Sequence, residues 1–171
     1  MFKEKQEAVA LYGGSFDPPH IGHLAVIKES IKLLDINRLV VIPAFLNPFK
    51  ADSHYSPSER LKLSNELFGK IPKVLIDNYE ITEGKATSTA QTLKHFQKKY
   101  KVKYIIIGAD NLSSITKWYN FSWLNSNITW VIATRARYKL NTAPLQSFRI
   151  LKVEVDISST EIRNKEKNEL R

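Results

Sequence analysis

The chain has 171 residues, no cysteine and a formal net charge of +9, from 26 Lys and Arg against 17 Asp and Glu. The lack of cysteine excludes disulfides, thiolate metal sites and cysteine nucleophiles, and no apolar run approaches the roughly 20 residues that a membrane-spanning helix needs. The length suits one domain over residues 1–171, and the charge favours anionic partners without choosing between nucleic acid and small nucleotides.

The charged start Met1-Phe2-Lys3-Glu4-Lys5-Gln6-Glu7 leads straight into a strand pattern, so it reads as no secretion signal and sets the expectation of a cytoplasmic protein. Ala8-Val9-Ala10-Leu11-Tyr12 predicts a buried strand. Gly13-Gly14-Ser15-Phe16-Asp17-Pro18-Pro19-His20-Ile21-Gly22-His23 follows as a glycine-rich turn and a helix start, a layout suited to holding phosphate. His20 and His23, three apart, lie on nearly one helical face, beside backbone N–H groups with no intrahelical acceptor. Taken alone, the glycine pair is equally a tight turn. The histidines are open to a structural role or to metal, with Asp17 as a third ligand, although the stiff Pro18-Pro19 step disfavours a compact chelate.

Ile21 to Leu34 reads as a helix, because Leu24, Ile27, Ile31 and Leu34 form one apolar stripe. Arg38 to Pro43 reads as a strand without polar alternation, as a sheet covered on both faces requires. Ala44 to Tyr55 has no period and is expected to be a loop. Ser56-Pro57-Ser58-Glu59 combines an N-cap serine, a proline at the first helical position and a glutamate three residues after the cap, predicting a helix to about Phe68 that Gly69 ends. Lys73 to Asp77 reads as a strand, and Tyr79 to Ala86 as an irregular or extended crossing. Ser88-Thr89-Ala90-Gln91 offers another capping box, before a helical stripe of Leu93, Phe96 and Tyr100. Lys103 to Gly108 predicts a central strand, Ala109 to Asn125 one or two short helices, and Asn127 to Ala133 and Phe148 to Val155 two more strands. Ser158-Ser159-Thr160-Glu161 is a third capping box, opening a charged terminal helix.

This alternation predicts an α/β fold, a mostly parallel, doubly wound sheet in a three-layer α/β/α arrangement. In such sheets ligands sit beyond the carboxyl ends of the strands, at the topological switch. The turn after the first strand and the segments after Ile107 and Val155 all emerge there. The lysines are dispersed without a long cluster and read as a generally basic surface.

Four ordered motifs carry a resemblance across nearly the whole chain. Gly13 to His23 resembles the nucleotidyltransferase signature with its HxGH element, here His20-Ile21-Gly22-His23, and Ile157-Ser158-Ser159-Thr160-Glu161-Ile162-Arg163 resembles the second signature, SSTxIR. Thr87-Ser88-Thr89-Ala90-Gln91-Thr92-Leu93 and Ile107-Gly108-Ala109-Asp110-Asn111-Leu112, followed by Trp118-Tyr119, are most similar to the bacterial nicotinate mononucleotide adenylyltransferases. The resemblance implies a Rossmann-like nucleotidyltransferase fold and transfer of AMP from ATP to nicotinate mononucleotide, giving deamido-NAD and pyrophosphate in NAD biosynthesis.

On the matching positions it implies an ATP site of Gly13, Gly14, Ser15, Phe16, Lys50, Ser158, Ser159, Thr160 and Arg163, with His20 and His23 as the catalytic pair. The Asn47-Pro48-Phe49-Lys50 loop departs from the family in lacking a histidine. For the second substrate it supports Thr89 and the neighbourhood of Tyr119, and the residues themselves add Ser88, Gly108, Asp110, Trp118 and Arg135 as candidates. Trp118 offers an indole face to a pyridinium, and Asp110 an acceptor for a ribose hydroxyl. Arg135 is open between an anion contact and a solvated charge. Magnesium is implied by ATP chemistry and, with no carboxylate cage in the sequence, is expected to be held mainly by phosphates and water, with no protein metal site. A membrane or nucleic-acid partner is not expected, and self-association is left open. The alternatives are a related adenylyltransferase acting on nicotinamide mononucleotide or phosphopantetheine, and a basic nucleic-acid-binding module.

Overall fold

The strand patterns without polar alternation become the interior of a single sheet. The computed structural model describes residues 5–46, 53–134, 139–154 and 162–166. In chain order the strands are β1 (Ala8–Gly14), β2 (Arg38–Pro43), β3 (Val74–Ile76), β4 (Lys101–Gly108), β5 (Thr129–Thr134) and β6 (Phe148–Lys152). They lie in the order β3-β2-β1-β4-β5-β6, and every pairing is parallel. The two edges fall to the short β3 and to β6, whose Phe148, Arg149 and Ile150 are exposed. That order is the doubly wound one, and it reverses between β1 and β4.

Side-chain alternation divides the core into two layers. Val9, Leu11, Val40, Ile42, Ile105, Ile107, Trp130 and Ile132 project to one face. Ala90, Leu93 and Phe96 of α4 (Thr89–Gln97) and Leu124 of α5 (Phe121–Asn127) cover them there. Ala10, Tyr12, Leu39, Val41, Tyr104, Ile106 and Val131 project to the other face, under Val26 and Ile27 of α1 (Ile21–Leu33) and Phe68 of α2 (Pro57–Phe68). The stripe of Leu24, Ile27, Ile31 and Leu34 packs into this second layer as its spacing predicts. Among the described residues no helix is long and apolar enough to cross a membrane.

Local signals are realised closely at α2. Ser56 Oγ accepts from Glu59 N (3.2 Å), and Glu59 Oε2 accepts from Ser56 N (3.1 Å). At α4 the Ser88 cap forms, with Gln91 N donating to Ser88 Oγ (3.2 Å), but the Gln91 side chain points to Tyr79 Oη instead of closing a box. The crossing expected to be irregular from Tyr79 to Ala86 contains a short helix, α3 (Tyr79–Glu83). Asp77 Oδ1 accepts from Tyr79 N to start it, and Gly84 at φ 68° ends it. Five residues are too few to display a period, so tertiary contacts decide. After β4 the chain forms two 3-10 turns, Ala109–Ser113 and Ile115–Lys117, before α5. The strand expected to reach Val155 stops at Lys152.

One buried charge ties the loops above this sheet together. Arg60, on the first turns of α2, is 1% exposed. Its Nη1 donates to Ser15 O (2.6 Å), Nη2 to Phe45 O (2.7 Å) and Nε to Tyr55 O (3.2 Å). Burial pulls its pKa down while the nearby Asp17 carboxylate opposes that pull. Replacing Arg60 by Met would leave three carbonyls without their donor and Asp17 without its countercharge, and is expected to cost about 3–5 kcal/mol of unfolding free energy. Urea unfolding of the variant measures this, and a loss typical of a surface substitution would contradict it.

Candidate active site

Gly13 and Gly14 end β1 at the switch point with their backbone exposed. Ala44 N donates to Gly14 O (2.9 Å), which carries the β1–β2 pairing to the sheet edge. A Cβ on Gly14 would stand 3.3 Å from the Phe16 ring, so glycine here lets that ring close over the strand end. Phe16 itself takes φ 47°, a left-handed conformation costly for a bulky residue. Its buried ring is held by Tyr12 (5.3 Å), His23 (4.8 Å) and Phe68 (6.1 Å). Asp17 follows, 5% exposed, and the Asp17-Pro18 peptide is cis.

His20 is the N-cap of α1, a place where serine, threonine, asparagine or aspartate is usual. Gly22 N donates to His20 Nδ1 (3.0 Å), and His20 N donates to His23 Nδ1 (3.1 Å). Backbone N–H groups only donate, so both Nδ1 atoms are acceptors and each neutral ring carries its proton on Nε2. The rings stack at 3.8 Å and 30°. Burial, reinforced by the charge His20 would carry, pushes the His23 pKa down to about 3. The pair therefore includes a histidine that is neutral at working pH and fixed as a donor at Nε2.

Tyr12 joins this half of the site to the other. Its ring lies 6.3 Å from His23, and burial together with the Asp110 carboxylate pushes its phenol pKa up. Asp110 is exposed at the end of β4, and its Oδ1 hangs over Gly108, 2.5 Å from where a Cβ would sit. Thr89 opens α4, and its N–H and that of Ala90 have no acceptor within the helix. Trp118 follows the second 3-10 turn in extended conformation and does not stand on a helix. Its half-buried indole packs edge-on to Trp130 (6.0 Å, 73°), against the core layer that Ala90 and Leu93 also line. Its Nε1 is buried without an acceptor among the described residues, so packing and not a polar anchor fixes the ring. Tyr119 is 71% exposed.

Of the remaining predicted residues, Arg163 lies on the helical residues 162–166, and its Nη1 donates to Asp17 O. Lys50, Arg135, Ser158, Ser159 and Thr160 lie outside the described residues. The sequence reading missed Tyr12, Arg60 and the role of Asp17. Asp17 Oδ2 accepts from His54 N and Oδ1 from Tyr55 N, both at 2.7 Å, so both oxygens brace a loop instead of facing a metal. No group of three or more His, Asp or Glu side chains among the described residues is arranged to hold a metal ion.

The chain matches the model of the cytidylyltransferase-like family over residues 11–165. It is 50% identical over 165 residues to a protein of Sulfurovum sp. named "Probable nicotinate-nucleotide adenylyltransferase", covering 96% of this chain and 88% of that one. A protein of Aliarcobacter butzleri with the same name is 39% identical over 157 residues, covering 91% and 85%. Among solved structures, the Plasmodium falciparum nicotinic acid mononucleotide adenylyltransferase complexed with NaAD superposes with a TM-score of 0.75 at 20% identity, over 92% of this chain and 83% of that one. That likeness shows the fold.

The buried imidazole has a measurable effect on stability. The folded state holds His23 neutral down to about 3, against an ordinary value of 6.5. Its contribution is therefore complete above 6.5 and is lost as the pH falls from there toward 3. Between pH 7 and pH 5 the unaltered chain should lose roughly 2 kcal/mol more than His23→Gln does. Urea unfolding of both at the two pH values checks this, and equal losses would contradict it.

Proposed function

The chain belongs to the nicotinate-nucleotide adenylyltransferases of the cytidylyltransferase-like family, and from that membership we propose how its site transfers AMP from ATP to nicotinate mononucleotide, releasing pyrophosphate and forming nicotinate adenine dinucleotide. The observation that carries the reading is the reciprocal histidine cap at the start of α1, by the switch point of the sheet, in which both Nδ1 atoms accept and the proton of a neutral ring is left to Nε2.

The attacking group is the phosphate of nicotinate mononucleotide, already mostly ionised near neutrality because a phosphate monoester has a second pKa of about 6. No general base or covalent intermediate is needed. Its oxygen forms a bond to the α-phosphorus, the bond from that phosphorus to the bridging oxygen breaks, and the electron pair leaves with pyrophosphate. Catalysis then rests on alignment and on donors placed where charge redistributes. His20 and His23 supply neutral donors that add no proton-transfer step. Gly13 and Gly14 allow the triphosphate close to the backbone, and the N-terminus of α1 favours its negative charge. Ser15, Phe16, Lys50, Ser158, Ser159, Thr160 and Arg163 complete the ATP side of the proposal.

On the acceptor side, the Thr89 and Ala90 N–H groups and the positive end of the α4 dipole suit the nicotinate carboxylate. Ser88 is the cap that holds that helix end in place. Trp118 presents a fixed indole beside Tyr119 for the pyridinium. Asp110, folded over Gly108, suits a ribose hydroxyl, and Arg135 belongs to this side as an anion contact. Magnesium fits as an ion carried in by ATP and held by phosphates and water, since both Asp17 oxygens already accept N–H donors. When bound, it neutralises charge on the departing pyrophosphate.

Pyrophosphate release from Mg-ATP, compared with nicotinate mononucleotide, nicotinamide mononucleotide and phosphopantetheine as acceptors, tests the reaction. A site that donates N–H to a carboxylate leaves donor facing donor when the acceptor is an amide, so kcat/KM is expected to be clearly higher for the acid. Equal values for acid and amide would sink the assignment of α4. His20→Ala should lower kcat about 10²–10³-fold, as for losing one donor to a developing charge. Near-normal turnover of that variant would remove His20 from its role.

A further inference from the structure

Beyond the two signatures, one carboxylate closes a ring of contacts around Asp17. Tyr55 Oη donates to Glu166 Oε1 (2.7 Å), and His54 Nε2 lies 3.4 Å from Glu166 Oε2. The backbone N–H groups of the same two residues donate to the Asp17 carboxylate. Three residues before Glu166, and so on the same helical face, Arg163 returns to the Asp17 carbonyl, with its Nη1 4.0 Å from Asp17 Oδ2. The circuit runs from Asp17 to His54 and Tyr55, on to Glu166, back one turn to Arg163, and home to Asp17.

We propose that Glu166 is a positioning residue for ATP, a clasp that fixes the loop of residues 53–55 to the helix of residues 162–166 and so sets Arg163 beside the turn that carries the histidines. The exposure of the pair supports this. The Glu166 and His54 side chains are about one-third exposed, at 37% and 36%, so their pairing adds little to global stability and acts on placement instead. The hydrogen bond to Glu166 is also the main reason the Tyr55 pKa is pushed up to about 12.

The inference rests on the reading of Arg163 as a triphosphate contact. In Glu166→Ala and Tyr55→Phe the KM for ATP is expected to rise about five-fold, with the KM for nicotinate mononucleotide and the melting temperature nearly unchanged. The double variant should be no worse than Glu166→Ala, since both remove one link. Glu166→Gln, which keeps an acceptor for Tyr55 Oη, should recover most of the affinity. A KM for ATP within about two-fold of the unaltered chain in Glu166→Ala, or additive effects in the double variant, would overturn the clasp. Equal rises for both substrates with a parallel fall in melting temperature would overturn it too, as a general structural effect.

Calorimetric binding of a non-hydrolysable ATP analogue to the same variants separates this proposal from the one it rests on. If the unaltered chain binds the analogue but releases no pyrophosphate with nicotinate mononucleotide, the reaction reading fails, and the variants' affinities still decide the clasp. No binding by the unaltered chain would overturn both.

Discussion

A guanidinium withdrawn from water beneath the loops at the switch point is the constraint on which the rest of the candidate site depends. A buried charge is tolerated only where donors and acceptors match it closely, and Arg60 finds that match in three carbonyls from three separate segments. Ser15 belongs to the glycine-rich turn, Phe45 to the loop after β2, and Tyr55 to the approach to α2. All three must therefore meet at one point. The planar, forked geometry of arginine makes this possible, where a lysine would offer a single ammonium. Asp17 then answers the cation from above and gathers the N–H groups of His54 and Tyr55.

With the turn held from below, its strained and exposed parts become useful. Phe16 can sit in a left-handed conformation because Tyr12, His23 and Phe68 enclose its ring. That enclosure also removes water from His23 and keeps it neutral. His23 therefore adds no imidazolium to the +9 that Lys and Arg give against Asp and Glu. In the proposed site, Arg163, helix N-termini and the basic surface attract the anionic substrates, while the Nε2–H groups supply direction. Fixed neutral donors suit a reaction whose nucleophile is already ionised, because no proton must move for attack to occur.

Legibility in the sequence followed the range of each signal. The Ser56-Pro57-Ser58-Glu59 box, the α1 stripe and the apolar strands act over a few residues, and all of them were readable. The His20-Ile21-Gly22-His23 motif was readable as a turn into a helix start, and the doubly wound order followed from the alternation of strands and helices. Helix α3 was not, because five residues carry no period and its start depends on Asp77. Gly84 was the available hint of its end. Arg60 was invisible among the charged residues of an amphipathic helix, since nothing local marks which charge will be buried. The short helices expected within Ala109 to Asn125 do not hold Trp118, because the 3-10 turn before it leaves it extended and packed on Trp130.

By itself the sequence determined most of the elements and the two signatures that pointed to the family, because capping, periodicity and residue type act along the chain. The tertiary structure alone decided the protonation pattern of the histidine pair, the burial of Arg60 and the ring that joins Asp17, Tyr55, Glu166 and Arg163. Each of these depends on solvent exclusion or on contacts between residues up to 146 positions apart. Desolvation and long-range hydrogen bonding have no local sequence period, so only the folded arrangement reveals which ordinary residues hold the catalytic ones in place.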